Sequence, residues 1–259
     1  MSRPRIGALI IGDEILSGKR QDKHLAHVIE TLRRHAGKLA WARFEGDDRG
    51  RLTAVLRESF ARGDIVFSFG GVGATPDDHT RQAAAAALGV ELVRHPEAVA
   101  EIERQFGEAA YPNRVLMAEF PAGSRVIPNP INRVASFSVS DHHFFPGFPN
   151  MAWPMLDWVL AAYYKNFAQP PAEERAIIVY DAGESQLLQV MNDNVAGFPQ
   201  LKLFSLPSFL PEGGRRLELG VRGDPAVVDA ALAHLVAGVD AAGFRWEALA
   251  RPVADAGPT

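Results

Sequence analysis

The chain has 259 residues, 47% apolar and 22% charged, with a formal net charge of −4 and no cysteine. That length supports one large or two ordinary domains around a substantial core. The absence of a basic tract argues against nucleic acid as a partner, and the lack of cysteine excludes disulfides, zinc–thiolate sites and a cysteine nucleophile. No apolar run approaches the ~20 residues of a membrane helix, and the apolar stretch at 6–11 is too short for a signal segment and runs straight into acids. The reading that remains is a cytoplasmic enzyme or binding protein with a small-molecule partner, no nucleic acid and no membrane.

Residues 6–11 are a continuous apolar run, the pattern of a strand buried on both faces, closed by Gly12-Asp13-Glu14. Asp22 then opens a helix in which Leu25, Val28, Ile29, Leu32 and Ala36 recur at helical spacing and Gly37 is the stop. Residues 39–44 read as a second strand ending in Glu45-Gly46-Asp47-Asp48. Leu52, Val55, Leu56 and Phe60 mark a second amphipathic helix, and residues 64–69 a third strand ending in Gly70-Gly71-Val72-Gly73. This alternation, with right-handed crossovers, predicts the α/β class: three layers around a mostly parallel sheet. Thr75-Pro76-Asp77-Asp78 is expected to open an alanine-rich helix that ends near Leu88-Gly89. Helices follow at 96–106 and 113–119, strands at 125–127, 134–139 and 143–145, a Pro128-Asn129-Pro130 turn, a tight Pro146-Gly147-Phe148-Pro149 loop and a helix at 151–164.

Gln169-Pro170-Pro171 reads as a short rigid linker, which makes residues 1–168 the first domain. Residues 172–245 read as a small α+β domain, with strands at 176–180, 201–206 and 216–221 and helices at 184–194 and 225–239. Residues 206–211 are expected to be a hairpin connection, and 246–259 a flexible tail.

Three successive strands thus end in acidic or glycine-rich loops. In an open parallel sheet the carboxyl ends of the strands share one edge, where ligands bind. Asp13, Glu14, Asp47, Asp48, Asp77 and Asp78 should therefore gather near the Gly70–Gly71–Gly73 loop, whose backbone is suited to approach a phosphate closely. Carboxylates and phosphate repel, and a divalent cation bridging the two would reconcile them. A divalent metal (Mg, Mn or Co) is therefore expected, with Asp47, Asp77 and Asp78 as ligands.

Blander roles are open for the same residues. Thr75 fits a helix N-cap, with Pro76 at the first position and Asp78 at the third. Asp47 and Asp48 fit caps of the second helix, and Gly12-Asp13-Glu14 an ordinary turn. Their joint occurrence at three strand ends tips the balance towards a site; a lone Gly-Gly-x-Gly is weak. None of the eight histidines has ligand-type spacing. His142 and His143 would face opposite ways on a strand, His79 sits beside the acidic loop, and Ser17 and Ser68 lack a nucleophile-elbow context. Trp153 and Trp158 read as core or interface aromatics.

Gly12 to Gly18, then Gly46-Asp47-Asp48, then Gly70 to Arg81, with Pro128-Asn129-Pro130 and Pro146 to Pro149, together resemble the molybdopterin-binding domain family that includes MogA, MoaB and the N-terminal domain of CinA-type proteins. The second domain, with Gly183-Glu184-Ser185 opening its helix, resembles the middle domain of CinA. No counterpart of that family's C-terminal nicotinamide-mononucleotide deamidase domain follows in these residues, so that activity is not carried over. The resemblance implies one of two chemistries at a phosphoanhydride. One is metal-dependent hydrolysis of a nucleotide pyrophosphate such as ADP-ribose; the other is binding or adenylylation of molybdopterin in cofactor assembly. A non-catalytic nucleotide- or pterin-binding protein is a third reading. The resemblance further implies Asp47 and Asp78 as catalytic groups. Gly12, Asp13, Glu14, Ser17, Gly70, Gly71, Gly73, Thr75, Pro146 and Gly147 would be substrate- or phosphate-binding, and a dimer or trimer is expected. The sequence departs from the family pattern at Ala74 (usually proline), His24 (asparagine), Asn132 (glycine expected) and Met151 (glutamate), all on the pocket rim and substrate side.

Overall fold

The computed structural model describes residues 5–35, 37–164, 173–210 and 213–249. The chain divides into two compact units, Met1–Phe167 and Ala168–Thr259. The linker expected at residues 169–171, and most of the expected tail, lie outside the described residues.

The first unit runs β1 (Ile6–Ile11), α1 (Asp13–Leu16), α2 (His24–Arg34), β2 (Leu39–Glu45), α3 (Arg49–Arg62), β3 (Ile65–Phe69), α4 (Thr80–Leu88), β4 (Leu92–Arg94) and α5 (Pro96–Phe106). It continues through two 3₁₀ turns (Gly107–Ala110 and Arg114–Ala118), β5 (Glu119–Pro121), β6 (Arg125–Ile127), β7 (Ser136–Val139), β8 (His142–Phe145) and α6 (Pro149–Tyr163). Its main sheet has the order β2-β1-β3-β8-β7-β6. The first four strands are parallel; β7 and β6 complete the sheet antiparallel.

Burial explains the layering. β1 and β3 are buried at every position, and β1 splits its side chains between two cores. Leu9 and Ile11 join Leu52 and Leu56 of α3, Ala83 and Ala84 of α4 and Ile102 of α5. Ile6 and Ile10 face Val28 and Leu32 of α2 and Met155 and Val159 of α6. Helices therefore cover both faces, which is why these strands lack polar alternation. The alanines of α4 have little bulk to hold it away from α3, and at Ala83 and Ala84 no surface remains exposed. The expected three-layer α/β fold is present.

Among the boundaries that differ from the sequence reading, two shape loops at the carboxyl edge of the sheet. The helix expected from Thr75 begins only at Thr80. Asp78 does not occupy a helical first turn; its carboxylate accepts from the Thr75 amide (2.9 Å) and hydroxyl (2.5 Å), while the Asp78 amide closes onto the Thr75 carbonyl at 3.0 Å. Thr75 is thus the donor to Asp78 and not a cap, and residues 75–78 stay in the loop. Likewise β7 starts at Ser136 and not at residue 134. The Asn132 carbonyl oxygen accepts from the Val134 amide and the Asn129 amide group donates to the Val134 carbonyl, both at 3.1 Å, which takes residue 134 out of the ladder.

The second unit comprises β9 (Glu173–Tyr180), α7 (Glu184–Gly197), β10 (Lys202–Phe209), β11 (Arg215–Gly223), α8 (Pro225–Ala241) and β12 (Trp246–Ala248). All its strand pairs are antiparallel, in the order β10-β11-β9-β12. Ile177, Val179, Leu217 and Leu219 line one face and pack on Leu187 of α7 and Val228 and Leu235 of α8. Residues 206–209, expected in a hairpin connection, continue β10 opposite residues 215–218. Trp246–Ala248 pairs with β9, so the chain is still ordered where the tail was expected to begin. Among the described residues, no helix is long and apolar enough to cross a membrane.

Candidate functional site

The loops after β1, β2, β3 and β8 meet at the carboxyl edge of the parallel strands and border a cleft of about 490 Å³. The convergence expected from the sequence is direct. The Asp13 amide donates to the Asp47 carboxylate (2.8 Å) and the Asp47 amide returns a bond to the Asp13 carboxylate (3.2 Å). This reciprocal pair ties the first two loops together. Asp48, one residue on, caps α3 by accepting from the Arg51 amide at 2.7 Å. The two adjacent aspartates therefore divide the roles that their sequence left open: Asp48 starts the helix and Asp47 faces the cleft.

The glycine loop is held from three sides. The Thr80 hydroxyl donates to the Gly70 carbonyl (3.0 Å), and the Thr80 amide donates to the Gly71 carbonyl (2.9 Å). Gly71 has φ +66, and a Cβ there would run into the Thr80 hydroxyl. At Gly73 a Cβ would meet the Asp78 carboxylate. The third restraint is Arg81, 2% exposed, whose guanidinium donates to the carbonyls of Gly73 (2.6 Å), Leu116 (2.6 Å) and Glu119 (3.1 Å). Burial lowers its pKa, yet an arginine so bonded stays charged. On the far rim, the ring of His24 stacks on Phe69 (centroids 4.5 Å apart) and bonds to the Gly147 carbonyl at 3.1 Å. Burial pulls the His24 pKa down, so the neutral ring donates Nε2–H to that carbonyl and fixes the Pro146-Gly147 loop.

Of the expected site residues, Gly12, Glu14, Asp47, Gly70, Gly71, Gly73, Thr75, Asp77, Asp78, Pro146 and Gly147 line the cleft. Asp13 and Ser17 do not; with Lys19 they border a shallower depression beside it, which Glu14, Asp47 and Asp77 share. Two cleft acids are perturbed in opposite directions: a hydrogen bond from Thr75 holds the Asp77 pKa down, and that of Asp47 is raised. Burial raises the Asp47 pKa, the Asp13 amide opposes this, and the charges of Asp13, Glu14 and Asp77 raise it further. Among the described residues, no set of three or more histidine, aspartate or glutamate side chains is arranged to hold a metal ion. Asp47 and Asp78 each spend one carboxylate oxygen on the loops. The other, Oδ1, has no hydrogen-bond partner among the described residues; that of Asp47 lies beside Gly71, while at Gly73 the nearer Asp78 oxygen is the one that holds Thr75.

The cleft also has walls that motif reading missed. Arg20, Phe106, Met117, Val134 and Ser136 line it; Ala74, Asn132 and Met151, expected on the rim as departures from the family pattern, line it as well. The Asn132 amide donates to the Met151 sulfur at 3.2 Å. No local pattern marks Phe106 or Ser136: they reach the cleft through the packing of α5 and the antiparallel return of β7. His142 and His143 face opposite sides of β8, as expected. His142 bonds Ser59 at 2.8 Å, and His143 bonds Ser138 and the Tyr164 hydroxyl, each at 2.7 Å.

With this geometry in view, a family model described as "Probable molybdopterin binding domain" matches residues 7–166. The chain belongs to that family. Its relatives include a CinA-like protein of Citrifermentans bemidjiense, 36% identical over 160 residues, covering 59% of this chain and 39% of the relative. A CinA-like protein of Geobacter sp. is 29% identical over 234 residues, covering 88% of this chain and 56% of the relative. The chain thus spans about 40–55% of the length of these curated relatives. Among solved structures, the CinA of Thermoplasma acidophilum, itself described as of unknown function, superposes with a TM-score of 0.56 at 26% identity, over 61% of this chain and 97% of that one.

Proposed function

We propose that the first unit hydrolyses a nucleotide pyrophosphate of the ADP-ribose kind with the help of a divalent metal. One observation carries this reading: Asp47 and Asp78, 31 positions apart in the numbering, both border the glycine loop that Thr80 and Arg81 hold, and each keeps one carboxylate oxygen with no hydrogen-bond partner among the described residues. The backbone of Gly71 to Thr75 lines the cleft and is suited to cradle phosphate oxygens. Four acids line the same cleft (Glu14, Asp47, Asp77 and Asp78), so a bare polyanion would be repelled. Two carboxylates without a preformed cage fit a Mg²⁺-type ion, which keeps waters and completes its shell with substrate phosphate. Asp47 and Asp78 would hold it, with Asp77 at the rim, and when bound it would neutralise charge on the anhydride. As a ligand of the ion, Asp47 would also orient the attacking water.

Molybdopterin binding, with or without adenylylation, is the second reading and is favoured by the description of the family itself. The assay that separates them is release of AMP from ADP-ribose with Mg²⁺, Mn²⁺ or Co²⁺. Turnover that stops on Asp78→Asn supports hydrolysis. No turnover with any of the three metals leaves the pterin reading, and undiminished ADP-ribose affinity in excess chelator removes the metal from either.

A further inference from the structure

His24 ties three parts of the cleft's frame to one ring. It is the first residue of α2. Its ring stacks on Phe69, the last residue of β3, and its Nε2 bonds the Gly147 carbonyl in the loop after β8. That loop backs onto the glycine loop: the Gly70 amide donates to the Phe145 carbonyl at 3.0 Å, and a Cβ on Gly147 would lie 3.6 Å from the Gly70 Cα. Pro146, Gly147 and Phe148 line the cleft, so His24 acts on the site through the wall that it holds. Only the neutral ring fits this place. His24 is 5% exposed, and its Nδ1 is buried with no hydrogen-bond partner among the described residues. A proton added there would bring a donor without an acceptor and a charge without water. That charge would also stand at the N-terminus of an 11-residue helix, the end that repels cations. Asp22 is the carboxylate that acts on the ring, but it already accepts from the amides of His24 (2.9 Å) and Leu25 (3.0 Å). The contacts on β3 and the β8 loop, Phe69 and Gly147, carry no charge. His27, one turn along α2, is itself pushed towards neutrality by burial, and Asp157 of α6 and Arg34 act on it. Burial outweighs both Asp22 and the Gly147 bond, and the His24 pKa lies below 6.5. As pH falls, the unfolded chain therefore takes up this proton first, and stability drops until the folded pKa is passed.

We infer that His24 is a positioning residue that works as a proton-operated latch: the neutral ring holds the Pro146–Gly147 wall against Gly70, and acid charges the ring, frees the wall and lowers affinity for the ligand. Histidine is suited to this because small changes of environment move its charge across the physiological range. Asparagine, the residue of the family pattern at this position, can donate to the same carbonyl but cannot titrate, so the sensitivity to pH belongs to this chain's own side chain. The inference rests on the cleft being the ligand site proposed above; whether the ligand is a nucleotide or a pterin does not enter.

The test follows the full-length wild type, His24→Asn and His24→Phe from about pH 8 down to about pH 5. NMR without ligand reads the His24 ring and the Gly70 and Gly147 amides. Calorimetry in Mg²⁺ reads ADP-ribose, whose two phosphates are both esterified and keep their charge over this range. The wild-type His24 midpoint is expected below 6.5, with both glycine amides shifting at that midpoint and ADP-ribose weakening about tenfold through it. By linkage, saturating ADP-ribose then lowers the His24 midpoint by about one pH unit. His24→Asn should restore the bond to Gly147 and lose the tenfold step, leaving only the contribution of Asp47 to the profile. His24→Phe keeps the stack on Phe69 without the bond, and should show the weakened affinity at every pH. Glycine amides that do not follow the His24 titration, or an acid step of equal size in His24→Asn, overturn the inference while ligand binding in the cleft stands. If the wild type binds no ADP-ribose at any pH, the nucleotide reading falls and the amides decide alone: shifts that share the His24 midpoint keep the latch, and shifts that do not end it. That wild-type titration needs no variant, so it decides even where a substitution prevents folding.

Discussion

The two ends of the cleft are built on opposite plans. At the glycine end the polar groups are largely engaged: Asp13 and Asp47 exchange amide bonds, Asp78 holds Thr75, and Arg81 spans three carbonyls. At the β7 end the buried Ser136 hydroxyl has no hydrogen-bond partner among the described residues, and a side-chain amide settles for sulfur. The first plan makes a rigid cradle whose shape precedes its ligand. The second leaves bonding capacity for the ligand to fill. Preorganisation suits a group common to many ligands, such as phosphate, and unfilled capacity suits the part that distinguishes one ligand from another.

The largest effect should come from disturbing the cradle itself. Gly71→Ala forces a side chain into a left-handed conformation and against Thr80; a loss of about 2–4 kcal/mol is expected from urea unfolding, with loss of ligand binding. Gly147→Ala is the control. A Cβ there would sit 3.6 Å from the Gly70 Cα, an ordinary contact, so a change within about 0.5 kcal/mol is expected. Equal costs at the two glycines would break the contrast between a locked loop and its looser neighbour.

Asp78→Asn comes next. The asparagine still offers Thr75 a carbonyl oxygen, so stability should fall by no more than about 1 kcal/mol, while turnover of ADP-ribose should fall about 10²-fold or more. Asp78→Ala should lose turnover and also about 1–2 kcal/mol, since the Thr75 amide and hydroxyl lose their acceptor. If the asparagine variant keeps its activity, Asp78 is a loop fastener only.

Asp47→Asn has a smaller effect of opposite sign. Because burial and neighbouring acids raise the Asp47 pKa, the folded state disfavours its charge, and the penalty applies above that pKa. Removing the charge in metal-free buffer at neutral pH should raise stability by up to about 1 kcal/mol, reduced by the partial exposure of the group. The gain should vanish as pH falls through the raised pKa, where wild-type Asp47 is itself protonated. A gain that persists in acid would show that charge was not its cause.

The glycine end was legible in the sequence because its parts are short, local signals: Gly12-Asp13-Glu14, Asp47-Asp48 and the Gly70–Gly73 run each mark a strand end, and parallel topology gathers such ends on one edge. The sheet strands were legible for the same reason, as apolar runs such as residues 6–11 that need burial on both faces. What failed was local competition. Thr75 to Asp78 carries every sign of a helix start, and the Asp78 carboxylate does accept from the Thr75 amide as a third-position acid would, yet the Thr75 hydroxyl donates to Asp78 instead of capping and the helix begins only at Thr80. The β7 end was legible only in part, at Asn132 and Met151, as departures from a pattern. Ser136 carries no local signal, because the antiparallel return of β7, and not spacing along the chain, brings it to the cleft.

Met151→Leu is the mildest and most discriminating change at that end. Leucine has nearly the same volume, so the wall of the cleft should survive at a cost under about 1.5 kcal/mol. It has no acceptor, however, and the Asn132 amide loses the sulfur that occupies it. If that amide is held in reserve for a ligand, freeing it should leave ADP-ribose affinity in calorimetry equal to wild type or a few-fold tighter. If the sulfur contact instead sets the position of Asn132, the side chain will drift, the bond from the Val134 amide to its oxygen will loosen, and affinity will fall along with Tm. The two outcomes separate a donor waiting for its acceptor from one whose function is to shape the loop before β7.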